Sequence, residues 1–569
     1  MLSKDERTPV RGPAVLAGHL GEPAGAVVLV LPDGRPPERV ELVAPDGTTT
    51  ALTAGPVESV PGWTAGPYSR VELPPGEGRH VLRVRFAGAD QLETELERGP
   101  DLLQRQTLSD VLAYFMAMRS SGEIDRKDRR ALLWGDTSGR EVDARGGWLD
   151  ASGDTSKFLS HLTYTRTMSP QQIPLCAWAM LAARDALPVH HPDVVRSVGV
   201  RLRDEALWGA DFLVRFRAPE GYSYVGIFDA LTKQLAERVI NAPLPECVRT
   251  DRYQAAYRQG GGLAIAALAR ASTQEDHGEF TSAEYLDAAA DAFAYLEEHN
   301  VEHLDDGAEN VVDDYCALLA ASELVGAGVG AAAGAARHRA RGLMDRYSAP
   351  GGGPGWFVAD AEGRPFFHAV EAGLPVLALL RFAELLPDAP EAGAARELAL
   401  RVMQDVLARS AAVPNPFGYP RQRVQPAGAA PRDSFFFPHA NETGYWWQGE
   451  NATLASLSAA ASACSALEGL AEAERARLDT FAADQLAWIT GRNPYDSSML
   501  QGRGRNHVRY RTDFPNLPGG IANGITGGWT DEDDIAFMPP DADDAQTWRW
   551  SEQWIPHAGW FLLAVAAAR

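Results

Sequence analysis

Residues 146–154, Gly-Gly-Trp-Leu-Asp-Ala-Ser-Gly-Asp, set Asp150 and Asp154 four positions apart with small residues between them and Trp148 just upstream. Two carboxylates so spaced can do acid/base work at the mouth of a cleft. They can equally cap a helix starting at Thr155-Ser156-Lys157-Phe158. A third carboxylate, Glu552, falls among Trp548, Trp550 and Trp554. Crowding by indoles disfavours its charged form, so such a glutamate would hold a proton near neutral pH. The plainer alternative is a first-turn glutamate facing water.

Other loops gather aromatic and polar side chains. FFHAVEAGLP places His368 and Glu371 three apart, on one face if the segment is helical. FFFPHANETGYWWQGEN supplies His439, Tyr445, Trp446 and Trp447, and GRGRNHVRYRTDF carries Arg503, Arg505, His507, Arg509 and Arg511. Flat rings suit the apolar faces of sugars, and carboxylates suit hydroxyl binding. Each aromatic could equally be core, and His368 and His439 could be satisfied core histidines. The arginine cluster could read a carboxylate or sulfate on a substrate, or it could pair with Asp513, Asp531 and Glu532.

Two textures organise the chain. Up to about residue 100, short β-branched runs alternate with Pro-Asp-Gly and Pro-Pro-Gly turns, the pattern of a small antiparallel sandwich. Beyond it, runs such as VRLRDEALWGADFLVRF and ENATLASLSAAASACSALEGLA repeat apolar positions at helical period, separated by long Gly/Pro loops. Domains at 1–100 and 101–569 are therefore expected. A formal charge of −23 leaves no basic field for a nucleic acid. No apolar run approaches a membrane span. The four cysteines form no metal-binding or disulfide pattern and read as reduced core thiols.

Nearly the whole chain resembles glycoside hydrolase family 9, in the subgroup where an immunoglobulin-like module precedes an all-α six-hairpin (α/α)6 toroid. The resemblance rests on GGWLDASGDTSKF, LWGADFLVRF, WITGRNPYDSSMLQGRGRN and PGGIANGITGG, four landmarks in order. It implies an inverting hydrolase of a β-linked saccharide, of β-glucan type or containing uronate. Asp154 is implied as the base that activates water, Asp150 as its support, and Glu552 as the acid. The residues expected to bind substrate are Trp148, His368, Glu371, His439, Tyr445, Trp446, Trp447, Arg503, Arg505, His507, Arg509 and Trp550.

The departures from the pattern are informative. Ser152 is an extra residue inside Asp-Ala-Gly-Asp, Thr155 replaces the histidine that follows, and Ser551 replaces the asparagine before the acid. The family's Pro-His-His-Arg loop is poorly reproduced around His507. These changes keep open an inert carbohydrate-binding protein, and a histidine with a nearby tyrosine, as in the loop of His439 and Tyr445, keeps open a lyase of uronic-acid polymers on a similar toroid. No cofactor is expected. The acidic run Asp531, Glu532, Asp533, Asp534, with Asp541, Asp543 and Asp544, could hold a structural calcium but matches no EF-hand. The first twenty residues have no apolar signal core, so a cytoplasmic enzyme trimming oligosaccharides is expected, although a secreted chain without its leader would read identically. Oligomeric state is not legible.

Overall fold

A computed structural model describes residues 5–21, 25–86, 88, 91–509 and 515–569. Seven strands come first: β1 (Ala14–Leu16), β2 (Ala26–Val30), β3 (Arg39–Val43), β4 (Thr49–Leu52), β5 (Tyr68–Glu72), β6 (Gly78–Arg85) and β7 (Gln91–Arg98). They form two antiparallel sheets, ordered β1-β2-β5 and β4-β3-β6-β7, packed face to face as an immunoglobulin-like sandwich. Val27 and Leu29 of β2 meet Val40, Leu42, Leu82 and Val84 of the opposite sheet in a small core.

Strand β2, AVVLV, is buried along its whole length. Alternation sends its other side chains, Val28 and Val30, to the opposite face, where they join the main core of the helical domain. A strand covered on both faces must be apolar at every position, which is what its sequence shows. Trp63, from the loop before β5, stacks among Phe417, Phe435, Phe436 and Trp488 of the helical domain. Arg70 of β5 donates to both carboxylate oxygens of Asp484 at 3.0 Å, and Arg492 joins the same carboxylate.

The described residues then contain fourteen helices: α1 (Leu102–Met118), α2 (Gly122–Asp128), α3 (Ile173–His190), α4 (Pro192–Arg215), α5 (Gly261–Ala271), α6 (Ser282–His299), α7 (Val311–Gly326), α8 (Ala333–Asp345), α9 (Leu374–Leu385), α10 (Ala392–Ser410), α11 (Asn451–Ser465), α12 (Glu472–Ile489), α13 (Trp548–Ser551) and α14 (Ile555–Ala567). Helices α3, α5, α7, α9, α11 and α14 touch in that order, and α14 closes back on α3. Each is backed by an outer partner: α4, α6, α8, α10 and α12 follow their inner helices, and α1 covers α14. This is a closed six-hairpin (α/α)6 toroid.

Sequence explains which helices go inside. All of α5, GGLAIAALARA, is buried, as is α14 except its last residue. Helices apolar all round belong in a core, and small residues let them approach closely. At Gly262 an added Cβ would lie 2.8 Å from Cys316 Cβ on α7. Outer helices such as α4 are two-faced, with Val194, Val198, Leu202 and Phe212 inward.

Inner-to-outer connections are short: His191 alone separates α3 from α4. Outer-to-inner connections are long, running over 129–172, 216–260, 411–450 and 490–547, so irregular chain accumulates at the end where the inner helices begin. Sites are built on such rims. No helix of the described residues is long and apolar enough to cross a membrane. Cys176, Cys316 and Cys464 are buried free thiols, and Cys247 is a half-buried one.

Candidate active site

Asp150 and Asp154 lie on the rim segment that leads into α3. It does not become helical at Thr155. Instead Lys157–Phe158 is extended and pairs with Ile227 and Gly226. The reason lies under the loop, where Lys157 is drawn inward. Its Nζ lies 2.7 Å from Asp128 and donates to the carbonyls of Ala144 (2.6 Å) and Gly146 (3.0 Å). Arg238 grips the same carboxylate through Nε at 3.0 Å and Nη2 at 2.8 Å and also donates to the Thr155 carbonyl. Burial alone would raise the Asp128 pKa, but the two cations hold it below the ordinary carboxylate range. Burial pulls the Lys157 pKa down. Capping is thus not the role of either aspartate, although Asp154 Oδ1 does accept the N–H groups of Thr155 and Ser156 in a local turn.

The added Ser152 is built into the site. Gly153 takes a φ of +80°, which L side chains rarely adopt, and the chain reverses there. Ser152 N donates to the Gln553 carbonyl at 3.0 Å and its Oγ to Gln553 Oε1 at 2.6 Å. Ala151 bridges Trp554, and Ile555 N donates to the Asp150 carbonyl at 3.1 Å. Tyr114 on α1 ties the Gln553 carbonyl from beneath at 2.9 Å. The loop that carries both aspartates is therefore stitched to the segment that carries Glu552.

Glu552 ends the four-residue α13, not the first turn of a long solvent-facing helix. Its side chain is partly accessible, yet protein crowds the carboxyl closely. Burial, then the charges of Asp150 and Asp154, raise its pKa to about 8, opposed only by a hydrogen bond from Asn523. The charges of both aspartates reach it, so the three carboxyl groups are neighbours. Asp150 is 6% exposed, with Trp554 Nε1 donating to its Oδ1 at 2.8 Å and His161 Nδ1 3.6 Å from its Oδ2. Asp154 is more open, and its Oδ2 has no protein partner among the described residues. Burial of its carboxyl and the charge of Asp150 raise its pKa.

The expected substrate contacts sort unevenly. Tyr445 is 41% exposed. Trp446 and Trp447 are buried in an aromatic cluster: Trp446 packs against Trp548 (4.8 Å) and Trp554 (5.8 Å), and Trp447 stacks on His439 at 3.8 Å and meets Trp529. Arg549, with no carboxylate partner among the described residues, lies over Trp447 (4.2 Å) and Trp548 (4.7 Å) and donates to the carbonyls of Tyr445 and Trp447. Burial lowers its pKa to about 10.

Trp148 and Trp550 are fully buried, so they are core residues and not sugar platforms. Trp148 packs edge-on against Phe115 and donates to Glu205 at 2.8 Å. His368 and Glu371 are also sealed, on an irregular segment ahead of α9. Glu371 accepts from Gln171 N and Tyr315 Oη, and His368 Nδ1 accepts from the backbone of Val370 and Glu371. Burial brings Glu371 to about 8 and His368 to about 3.

The arginines of the loop that follows Gly502 find partners on α1 and in the chain before β2. Arg503 pairs with Asp110 and Arg505 with Asp496, which also holds His19. His507 Nε2 bonds the Arg503 carbonyl, and Arg509 N donates to Asp5. Arg511 and Asp513 lie outside the described residues. The predicted anion-reading surface is therefore corrected to a structural loop. In the acidic run, Glu532 and Asp533 pair with Arg432, and Asp534 accepts from Thr64 N. Among the described residues no three His, Cys, Asp or Glu side chains are grouped to hold a metal ion.

Two contributors carried no sequence signal: His161, which lies in irregular chain, and Arg549, which reads as one more polar residue in a Trp-rich run.

Residues 105–348 match the family model described as "Glycosyl hydrolase family 9". No curated protein sequence matches significantly. Among solved structures, a metagenome-derived glycoside hydrolase family 9 endoglucanase is 16% identical with a TM-score of 0.64, covering 98% of this chain and 100% of that one. The family 9 endoglucanase J30 is also 16% identical, with a TM-score of 0.63 and coverage of 96% and 99%. The cellulase Cel9M of C. cellulolyticum in complex with cellobiose is 17% identical, with a TM-score of 0.50 and coverage of 81% and 97%. At these identities the structural likeness is one of fold. The family match includes the Asp150 and Asp154 loop, so residues 105–348 are similar to glycoside hydrolase family 9, and the chain as a whole shares the fold of family 9 endoglucanases.

Proposed function

We propose that this enzyme hydrolyses a neutral β-linked glucan oligosaccharide with inversion, Asp154 acting as base and Glu552 as acid. The observation that carries the reading is the asymmetry of the carboxylates. Glu552, at about 8, keeps its proton at neutral pH, while the neighbouring Asp154 has an oxygen with no protein partner among the described residues. Glu552 donates its proton to the leaving glycosidic oxygen as the bond from the anomeric carbon breaks. A water held against Asp154 Oδ2 forms the new bond to that carbon and gives up a proton to Asp154. Inversion requires the two carboxyl groups to be roughly 6.5–9.5 Å apart, with the water between them. Asp150, held by Trp554 Nε1, supports that water.

A glucan substrate is favoured by the endoglucanase relatives in fold and by the cellobiose bound to one of them. A neutral sugar is favoured over a uronate because Arg503 and Arg505 are already paired with aspartates. The bonds from Ser152 to Gln553 favour a working site over an inert one. Residues 1–100 act as a supporting module for the catalytic domain at 101–569.

Asp154→Asn and Glu552→Gln are each expected to lower kcat on cello-oligosaccharides by ~10²–10⁴-fold with binding retained. Nuclear magnetic resonance of the first anomer released from a β-glucan is expected to show the α form. Release of the β anomer, or full turnover by either variant, would sink the assignment.

A further inference from the structure

We infer that His161 is a specificity-determining residue, whose Nε2 meets a ring hydroxyl of the sugar bound beside Asp150; this deepens the hydrolase reading and rests on it. The imidazole is fixed on three sides. Phe158 lies 4.9 Å from it, Trp554 5.5 Å, and Trp446 5.1 Å edge-on, all ring centroid to centroid. Its Nδ1 has its own neighbours, Gln172 Nε2 at 2.8 Å and Asp150 Oδ2 at 3.6 Å.

The other nitrogen differs. Nε2 has no hydrogen-bond partner among the described residues, and it is not among the buried polar atoms that lack one, so it reaches solvent. The side chain is 14% exposed, and its ring lies beside Asp150, Trp446 and Trp554. A polar atom held rigidly at the edge of an aromatic wall is the usual form of a sugar contact, in which rings cover the apolar face and one nitrogen reads a hydroxyl. With Gln172 donating to Nδ1, the proton sits on Nε2, which donates to the sugar. A hydroxyl can also donate, so the contact survives the other tautomer. Because Nδ1 faces Asp150, the sugar that binds Nε2 is set in register with the carboxylate pair.

The test uses the full chain carrying Glu552→Gln, so that the ligand is not consumed, with cellobiose as the probe in titration calorimetry. Adding His161→Phe, which keeps a ring and removes the nitrogen, is expected to weaken binding ~10-fold. His161→Gln, which keeps a polar end group, is expected to stay within threefold of the parent. Equal affinity of the Phe variant and the parent overturns the proposal. So does an equal loss in the Phe and Gln variants, which marks a structural role, and so does absence of cellobiose binding in the parent. Failure of the hydrolase reading would appear separately, as absence of turnover in the unsubstituted enzyme while these affinities are still measured.

Discussion

Replacing Glu552 with Gln should abolish hydrolysis and at the same time make the protein more stable in alkali. The native carboxyl titrates near 8, against 4.5 for an unburied glutamate. Between those values the folded state binds a proton that the unfolded state has released, so stability contributed by this group is full below about pH 4.5 and is lost as pH rises through 8. The span of those two pKa values, at about 1.4 kcal/mol per pH unit, caps the effect at ~5 kcal/mol. Partial exposure of the side chain screens it, leaving ~2 kcal/mol. Glutamine has nearly the same shape and no charge to desolvate. Denaturant unfolding of the two proteins at pH 5 should therefore coincide, and at pH 9 the variant should be ahead by ~2 kcal/mol. Glu371 and Glu450, also near 8, weaken both proteins in the same window, so the difference between curves is the quantity to read. A variant no more stable than the parent at pH 9 would show that Glu552 is not desolvated, and the argument for it as the acid would fall with that result.

Deleting Ser152 restores the shorter Asp-Ala-Gly-Asp spacing but removes both bonds to Gln553, and kcat should fall ~10²-fold, the scale of a 1 Å misplacement. An unchanged kcat would mean the stitching is dispensable. Asp150→Asn should reduce kcat more than KM on cellotetraose, because Trp554 Nε1 still has an oxygen to bond while the supporting charge is gone; a change confined to KM would contradict this. Arg503→Ala and Arg505→Ala should each leave kcat/KM on a β-glucoside within twofold, with no gain or loss of preference for the matching glucuronide; a lost preference for the glucuronide would return these arginines to the substrate.

Periodicity made the helices legible, and β-branched runs between turns made the sandwich legible, because each reports a local face that must be buried. The carboxylates could be read because their loop and the Trp-flanked glutamate resemble a family pattern. Partners far apart in sequence were not legible. Arg503 finds Asp110 on α1, 393 residues away, and the acids Glu532 and Asp534 belong to Arg432 and Thr64. Trp148 looked like a platform because an indole beside a catalytic loop looks the same whether it faces the cavity or Phe115. His161 was hidden for the opposite reason: irregular chain has no period, so nothing local shows which way a side chain turns.

The closed ring also bears on when this protein becomes an enzyme. The bond from Trp554 to Asp150 spans 404 residues, and the inner helix that follows Glu552 is the last one of the chain, covered by the first. Loop closure over such a distance is entropically costly and slow to reward. The Asp150 loop and the Glu552 segment therefore meet only once α14 has closed the ring against α3 and α1, so the candidate site is completed by the same step that completes the toroid.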